Sequence, residues 1–343
     1  MYGVIAPEAN YAWEVPRPFR FFTSASAVPA AQLTEVAREA ESLGYDAMLI
    51  ADHVRDMLAP AAFMAHVAAV TKVLKVGVAV QNNDLRHPVL AAMELASVDQ
   101  LSGGRVIAGM GAGWNESEYV ALGLRYDRPG VRIARLGEAI AIMKQAFQGP
   151  VDLEGQHYRV RGLEAFPRSV QRPHPPFLIG GGGRVLLSLA GREADIVGLS
   201  LRQGPLGTSD VTSAMAGATD EKVGWVRAAA GDRFEDLDLH VHPILDSAAV
   251  TDAARPHLRR LADHFNSLAG TSLTEQDLHE SPHVLVGSVD HLVEKLLAAR
   301  ERWGISAVTL DRIEGVGSFG QFERVIAKLT RPGAPDSPPG VVT

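Results

Sequence analysis

One pattern constrains this chain more than any other: a short apolar run followed by a longer stretch of helical period, repeated along its length. The runs that read as strands are residues 19–23, 47–50, 76–80, 106–110, 176–179, 196–200, 239–245 and 307–310. Helical stretches follow at about 30–43, 60–73, 88–101, 131–147, 185–191, 220–230, 251–268 and 289–303. The strand runs are continuously apolar, as expected of parallel strands covered on both faces. Gly44 and Gly304 end helices where a left-handed residue belongs, and Pro88 opens one because the amide it lacks would be unpaired there. The eight units predict an α/β chain folded as a (β/α)8 TIM barrel with insertions. The alternative is a doubly wound open sheet. In both folds ligands sit at the carboxyl ends of the strands, so chemistry is sought in the residues just after each run.

The composition of the 343 residues, 46% hydrophobic and 21% charged, supports a large core. A formal net charge of −7 argues against a nucleic-acid partner, which would call for a basic field. The chain has no cysteine, which excludes disulfides, thiolate metal sites, iron–sulfur clusters and a cysteine nucleophile. No apolar run approaches the roughly 18 residues needed to span a bilayer, and the opening residues lack a secretory pattern. A cytoplasmic protein with no membrane partner is expected. Residues 1–16 read as a leader, 17–330 as a single barrel domain and 331–343 as a flexible, proline-rich tail. A hairpin insertion is expected near 149–166, turning at Glu154 and Gly155, and a mobile active-face loop near 202–218.

Four constellations fall at strand ends. Asp52-His53 follows the second strand: an imidazole can move protons near neutral pH, and a carboxylate can fix its tautomer. Asp52 as a turn cap with an incidental histidine is equally open. After the third strand, Gln81 to Asp84 form a polar loop able to press its backbone on a flat ligand or to serve as a plain connection. Gly109, Gly111 and Gly113 are a poor match to a dinucleotide fingerprint and read better as a strand end passing close to a ligand. Trp114 offers a flat face there and Glu118 a candidate acid, or both are cap and core material. Gly180, Gly181, Gly182 and Gly183, then Arg184 and an apolar helix, present bare amides and a guanidinium suited to phosphate. No metal-ligand motif is present, and no metal is expected.

Residues 37–46 leading to Asp52-His53, Arg86-His87-Pro88, residues 99–105, Gly111 to Trp114, Gly180 to Arg184, and Gly287-Ser288 with residues 301–305 together resemble the bacterial luciferase-like monooxygenase superfamily. Within it they are similar to the coenzyme F420-dependent oxidoreductases. The resemblance runs from about residue 17 to 329. It implies a barrel holding a flavin-type ring at the strand carboxyl ends, with a bulge and a non-prolyl cis peptide at Val78-Ala79-Val80 behind the ring. It places Ala79, Val80, Asn82, Gly111, Gly113, Trp114 and Ser200 around the cofactor, with Gly180 to Arg184 on its phosphate. His53 matches the histidine near the reacting face, with Asp52 beside it. A glutamate proton donor of the sugar-phosphate branch aligns with Trp114, a departure that argues against sugar-phosphate chemistry.

The expected function is hydride transfer between F420 and a small organic substrate, with His53 as proton donor or acceptor and Asp52 and Glu118 as further catalytic candidates. One alternative is a reduced-FMN monooxygenase; another is a non-catalytic flavin-binding protein. A phosphate-binding lyase or aldolase would need a Schiff-base lysine or a metal at a strand end, and the lysines fall mostly on helices or strand starts. Related barrels dimerise through helices on their sides, so a homodimer is expected.

Overall fold

The computed structural model describes residues 17–164, 167–204, 209–244, 247–311 and 319–330. The expected leader 1–16 and tail 331–343 lie outside the described residues, as do Leu245 at the end of the expected seventh strand and residues 205–208 of the expected loop.

Eight parallel strands form the frame: β1 (Arg20–Ser24), β2 (Ala47–Ile50), β3 (Lys75–Val78), β4 (Val106–Gly111), β5 (Phe177–Gly181), β6 (Ile196–Leu199), β7 (Asp238–Val241) and β8 (Ile305–Thr309). Each pairs with its neighbour in chain order, and β8 returns to β1 with Phe21 opposite Val308. The sheet therefore closes into a (β/α)8 barrel, which excludes the open doubly wound sheet.

Successive strand residues point alternately inward and outward. Phe22, Ala47, Leu49, Ile107, Leu178, Ile196 and Ala307 fill the barrel. Their neighbours Phe21, Met48 and Ile179 pack outward beneath the helices. Burial on both faces is why the sequence runs are continuous.

The helices are α1 (Leu33–Ser42), α2 (Pro60–Val70), α3 (Pro88–Ser102), α4 (Glu116–Ala121), α5 (Pro129–Gln148), α6 (Arg184–Glu193), α7 (Ala216–Ala230), α8 (Ala254–Ala269), α9 (Glu275–Glu280), α10 (Val289–Trp303) and α11 (Glu323–Thr330). The one-helix-per-strand reading fails at β7. There α8 to α10 form an excursion tied by a small parallel ladder, Ala248–Val250 beside Leu285–Gly287. The helix that follows β8 is α11, which the sequence reading left unassigned. Pro150–Glu154 and Arg159–Glu164 pair as an antiparallel hairpin. Among the described residues no helix is long and apolar enough to cross a membrane.

At the end of β3 the ladder breaks. The Ala79–Val80 peptide is cis, and the chain rejoins β4 only at Gln81 and Asn82. The glycines of β4 make room for this detour. A Cβ on Gly109 would fall 1.6 Å from the Val78 carbonyl oxygen, and one on Gly111 would fall 2.4 Å from the Val80 side chain. Gly109 is thus required by a neighbouring strand rather than by a ligand.

The 99–105 segment works at the opposite, N-terminal end of the barrel. The fully buried Asp99 carboxylate accepts from the backbone amides of Val170 (2.7 Å) and Gln171 (3.0 Å) and from the Gln171 side chain (2.8 Å). Arg105 donates to the carbonyls of Ala68 (2.7 Å), Leu74 (2.7 Å) and Ser102 (2.8 Å). Removing one partner of a buried network strands the others. Asp99→Ala is expected to cost about 2–4 kcal/mol in urea unfolding while leaving ligand binding at the far face unchanged.

Candidate active-site cleft

A cleft of about 550 Å³ opens at the carboxyl ends of the strands, a size that suits a cofactor-sized ligand. It is lined by Asp52, His53, Ala79, Val80, Asn82, Gly111, Gly113, Trp114, Glu118, Gly180, Gly181, Gly182, Gly183, Arg184 and Ser200. The structure thus brings the candidate catalytic and cofactor-binding residues to one place, while Gly109 and, from the polar loop, Gln81, Asn83 and Asp84 are not among the lining. What it changes is their pairing.

Asp52 does not orient His53. Its carboxylate takes a forked contact from Arg86, at 2.8 and 3.3 Å, and accepts from the Asn82 amide at 3.0 Å. Asp52 is therefore an anchor holding the detour after β3 against β2. The partner of His53 is Glu118, from the first turn of α4. The His53 Nδ1 lies 2.9 Å from Glu118 Oε1, and that oxygen also accepts from the Val54 amide at 3.3 Å. An ionised carboxylate only accepts, so Nδ1 carries the proton and Nε2 is the nitrogen left for other chemistry. Glu118 is buried, which makes its contact to His53 less screened than a surface pair. The Trp114 indole meets the imidazole edge-on at 5.6 Å.

Gly113 sets this corner, with φ at +73°. A Cβ there would also strike the Tyr119 hydroxyl, 2.0 Å away. That hydroxyl lies 2.9 Å from Asp84 and 3.1 Å from Asn82 Oδ1, and Asn82 Oδ1 also accepts from the Asp84 amide at 3.1 Å. With Oδ1 committed, the NH2 of Asn82 is what it offers the cleft. Arg135 grips Asp84 through two contacts of 2.7 Å, fixing the loop from behind.

On the far side, Gly182 packs so closely on the chain after β6 that a Cβ would fall 2.4 Å from the Leu201 carbonyl oxygen. Gly183 is the N-cap of α6 and supplies no side-chain cap. The opening amides of α6 are thus left for an anion, with the exposed Arg184 beside them. Ser200 is fixed through its backbone: its amide donates to Gly181 (2.9 Å), and its carbonyl accepts from Lys222 Nζ at 2.7 Å. Lys222 is fully buried and also donates to the Ser213 carbonyl at 2.6 Å. Burial, with Arg202 nearby, pulls its ammonium down to about 8. Among the described residues no lysine lines the cleft, which removes the Schiff-base reading.

Several lining residues escaped the sequence reading. The first five residues of α5 contribute Pro129, Arg132 and Ile133; Pro129 at its first position was the available signal. His240 and His242 also line the cleft. His240 lies within the seventh strand on either reading and is hidden in its apolar run; His242 is hidden because the expected strand extends to residue 245, whereas it ends at Val241. The His242 Nε2 lies 2.7 Å from Asp311 Oδ2. Partial desolvation pulls this half-exposed imidazole down, and the Asp311 contact more than offsets that, leaving it above its ordinary value. A raised folded value means that the pair stabilises the fold fully below the unfolded histidine range and loses that contribution as pH rises through the folded value. The melting-temperature gap between wild type and Asp311→Asn is accordingly expected to be wider at pH 6 than at pH 9. Among the described residues no cluster of three or more His, Asp or Glu side chains could hold a metal.

The glycine-floored cleft with an uncapped helix N-terminus at one end fits a flat ring with an anionic tail. An F420-dependent glucose-6-phosphate dehydrogenase from Nakamurella multipartita is 30% identical over 235 residues, 65% of this chain and 66% of that protein. The matches to the first curated relatives span only half to two thirds of those proteins' length. Two solved structures share the fold. One is an F420-dependent secondary alcohol dehydrogenase in complex with an F420-acetone adduct (TM-score 0.68, 17% identity, 92% of this chain and 99% of that one). The other is a riboflavin lyase with modified FMN and riboflavin (TM-score 0.70, 16% identity, 92% of each chain). The family model described as luciferase-like monooxygenase matches residues 17–307, nearly the whole barrel, and the chain belongs to that family.

Proposed function

We propose that this protein is an F420-dependent oxidoreductase that moves a hydride between the deazaflavin and a small organic substrate. The observation that carries the reading is the His53–Glu118 pair set at the mouth of a cleft whose other end is an uncapped, glycine-rich helix start. The cofactor would supply the hydride chemistry; a deazaflavin has carbon where a flavin has its oxygen-activating nitrogen.

The protein's own part is positioning and proton movement. The amides opening α6 and Arg184 would hold the cofactor's phosphate. Ala79 and Val80, fixed by the Asp52–Arg86 anchor, would back the ring, and the NH2 of Asn82 would meet its polar edge. Glu118 keeps the proton on Nδ1 of His53. That leaves Nε2 to give or take the proton that balances hydride transfer. Trp114 walls this side against water.

The kinship to the Nakamurella enzyme supports F420 as the cofactor. It does not extend to a sugar phosphate as substrate, because Trp114 stands where the proton-donating glutamate of that branch is expected. The proposal includes a cytoplasmic homodimer. Leu90, Met93 and Leu101, exposed along one face of α3, support side-by-side barrels.

Fluorescence titration of the purified protein tests the cofactor. Saturable binding of F420, with FMN at least about tenfold weaker, is expected. Saturation by FMN alone would replace this reading with a reduced-FMN monooxygenase.

A further inference from the structure

We propose that His240 is the hydrogen-bonding contact for one edge of the bound cofactor ring, an inference that rests on the reading of the cleft as a ring-cofactor site. Three adjacent strands place Gly180, Gly198 and His240 side by side, with Gly180 opposite Gly198 and Gly198 opposite His240. All three line the cleft. The two glycines form a bare strip: a Cβ on Gly198 would lie 3.1 Å from the Gly180 Cα and 3.7 Å from His240 Nδ1. A flat ring can lie on backbone there, and Nδ1 borders the strip.

The imidazole is held for this task. It is 6% exposed. Its Nε2 is 2.8 Å from Thr309 Oγ1, and its ring packs 5.3 Å from that of Phe22. No described residue pairs with Nδ1. A buried polar side chain with one nitrogen tied and the other open to a cleft calls for a ligand atom. Burial, with His242 and His283 nearby, pushes this histidine down to about 3, so it is neutral at working pH. A neutral imidazole suits a carbonyl, ring N–H or hydroxyl of a heteroaromatic edge rather than a phosphate, for which the start of α6 is the better partner.

The test uses wild type, His240→Phe and His240→Asn, titrated with F420 and with FMN by fluorescence, alongside thermal melts. His240→Phe keeps a flat ring and loses both nitrogens. It is expected to weaken the cofactor that wild type binds by about tenfold and to remove the shift of that cofactor's absorption maximum on binding. His240→Asn, which restores a donor and an acceptor, is expected to recover most of both. Should His240→Phe fail to fold, Thr309→Val frees the ring of its tie and is expected to weaken binding in the same direction. A folded His240→Phe, or in its place a folded Thr309→Val, with wild-type affinity and spectrum overturns the proposal and leaves the cofactor reading intact. Wild type that binds neither cofactor overturns both.

Discussion

Replacing His53 with alanine is expected to lower turnover about 10²–10⁴-fold, the usual worth of a positioned acid–base group, while cofactor affinity stays within about twofold. His53 is engaged by Glu118 and Trp114, whereas the cofactor tail would be held by the opening amides of α6. Loss of the imidazole therefore removes the proton route without loosening the ring's seat. Glu118→Gln makes the complementary case. An amide can still accept from Nδ1 but carries no charge to balance an imidazolium, so turnover is expected to fall while KM holds. Steady-state rates with cofactor binding measured separately read both effects. A His53→Ala enzyme with unchanged turnover removes this residue from the mechanism.

The second large effect is structural. Gly109→Ala is expected to abolish soluble folding or to cost more than about 4 kcal/mol, the range reserved for steric conflict in a packed core. The obstacle is backbone: the added carbon would sit 1.6 Å from the Val78 carbonyl oxygen. A flexible side chain could move aside, whereas this oxygen belongs to the turn that carries Ala79 and Val80 into the cleft. Gly217→Ala is the matched control. It lies in α7 with nothing within 4 Å of the new carbon, so it is expected to be neutral or slightly stabilising. Soluble yield and urea unfolding of the two variants separate the cases.

The frame was legible in the sequence because it rests on local periodicity. A parallel strand buried on both faces writes a continuous apolar run, and the helix after it writes a 3.6-residue period. The pairings were not legible, because they join residues far apart in the chain. Glu118 reaches His53 across 65 positions, whereas adjacency favoured Asp52. Asp52 is held instead by Arg86, a residue noticed only as part of a family motif. Gly109 drew attention as part of a ligand-facing strand end; its cause is the neighbouring strand, which no local pattern records, whereas Gly111 lines the cleft. His240 sits inside the apolar run of β7, and His242 falls in the four residues by which the expected run overshoots the strand. The α8–α10 excursion displaced the count of helices, because its ladder of two three-residue strands is too short to leave a period.

The most direct test of the account is a crystal structure of the protein with F420 bound. The ring is expected against Ala79 and Val80, its reacting face turned to His53 Nε2, and its phosphate on the amides of Gly183 and Arg184. A phosphate bound elsewhere, or a ring whose reacting carbon faces away from His53, would contradict it.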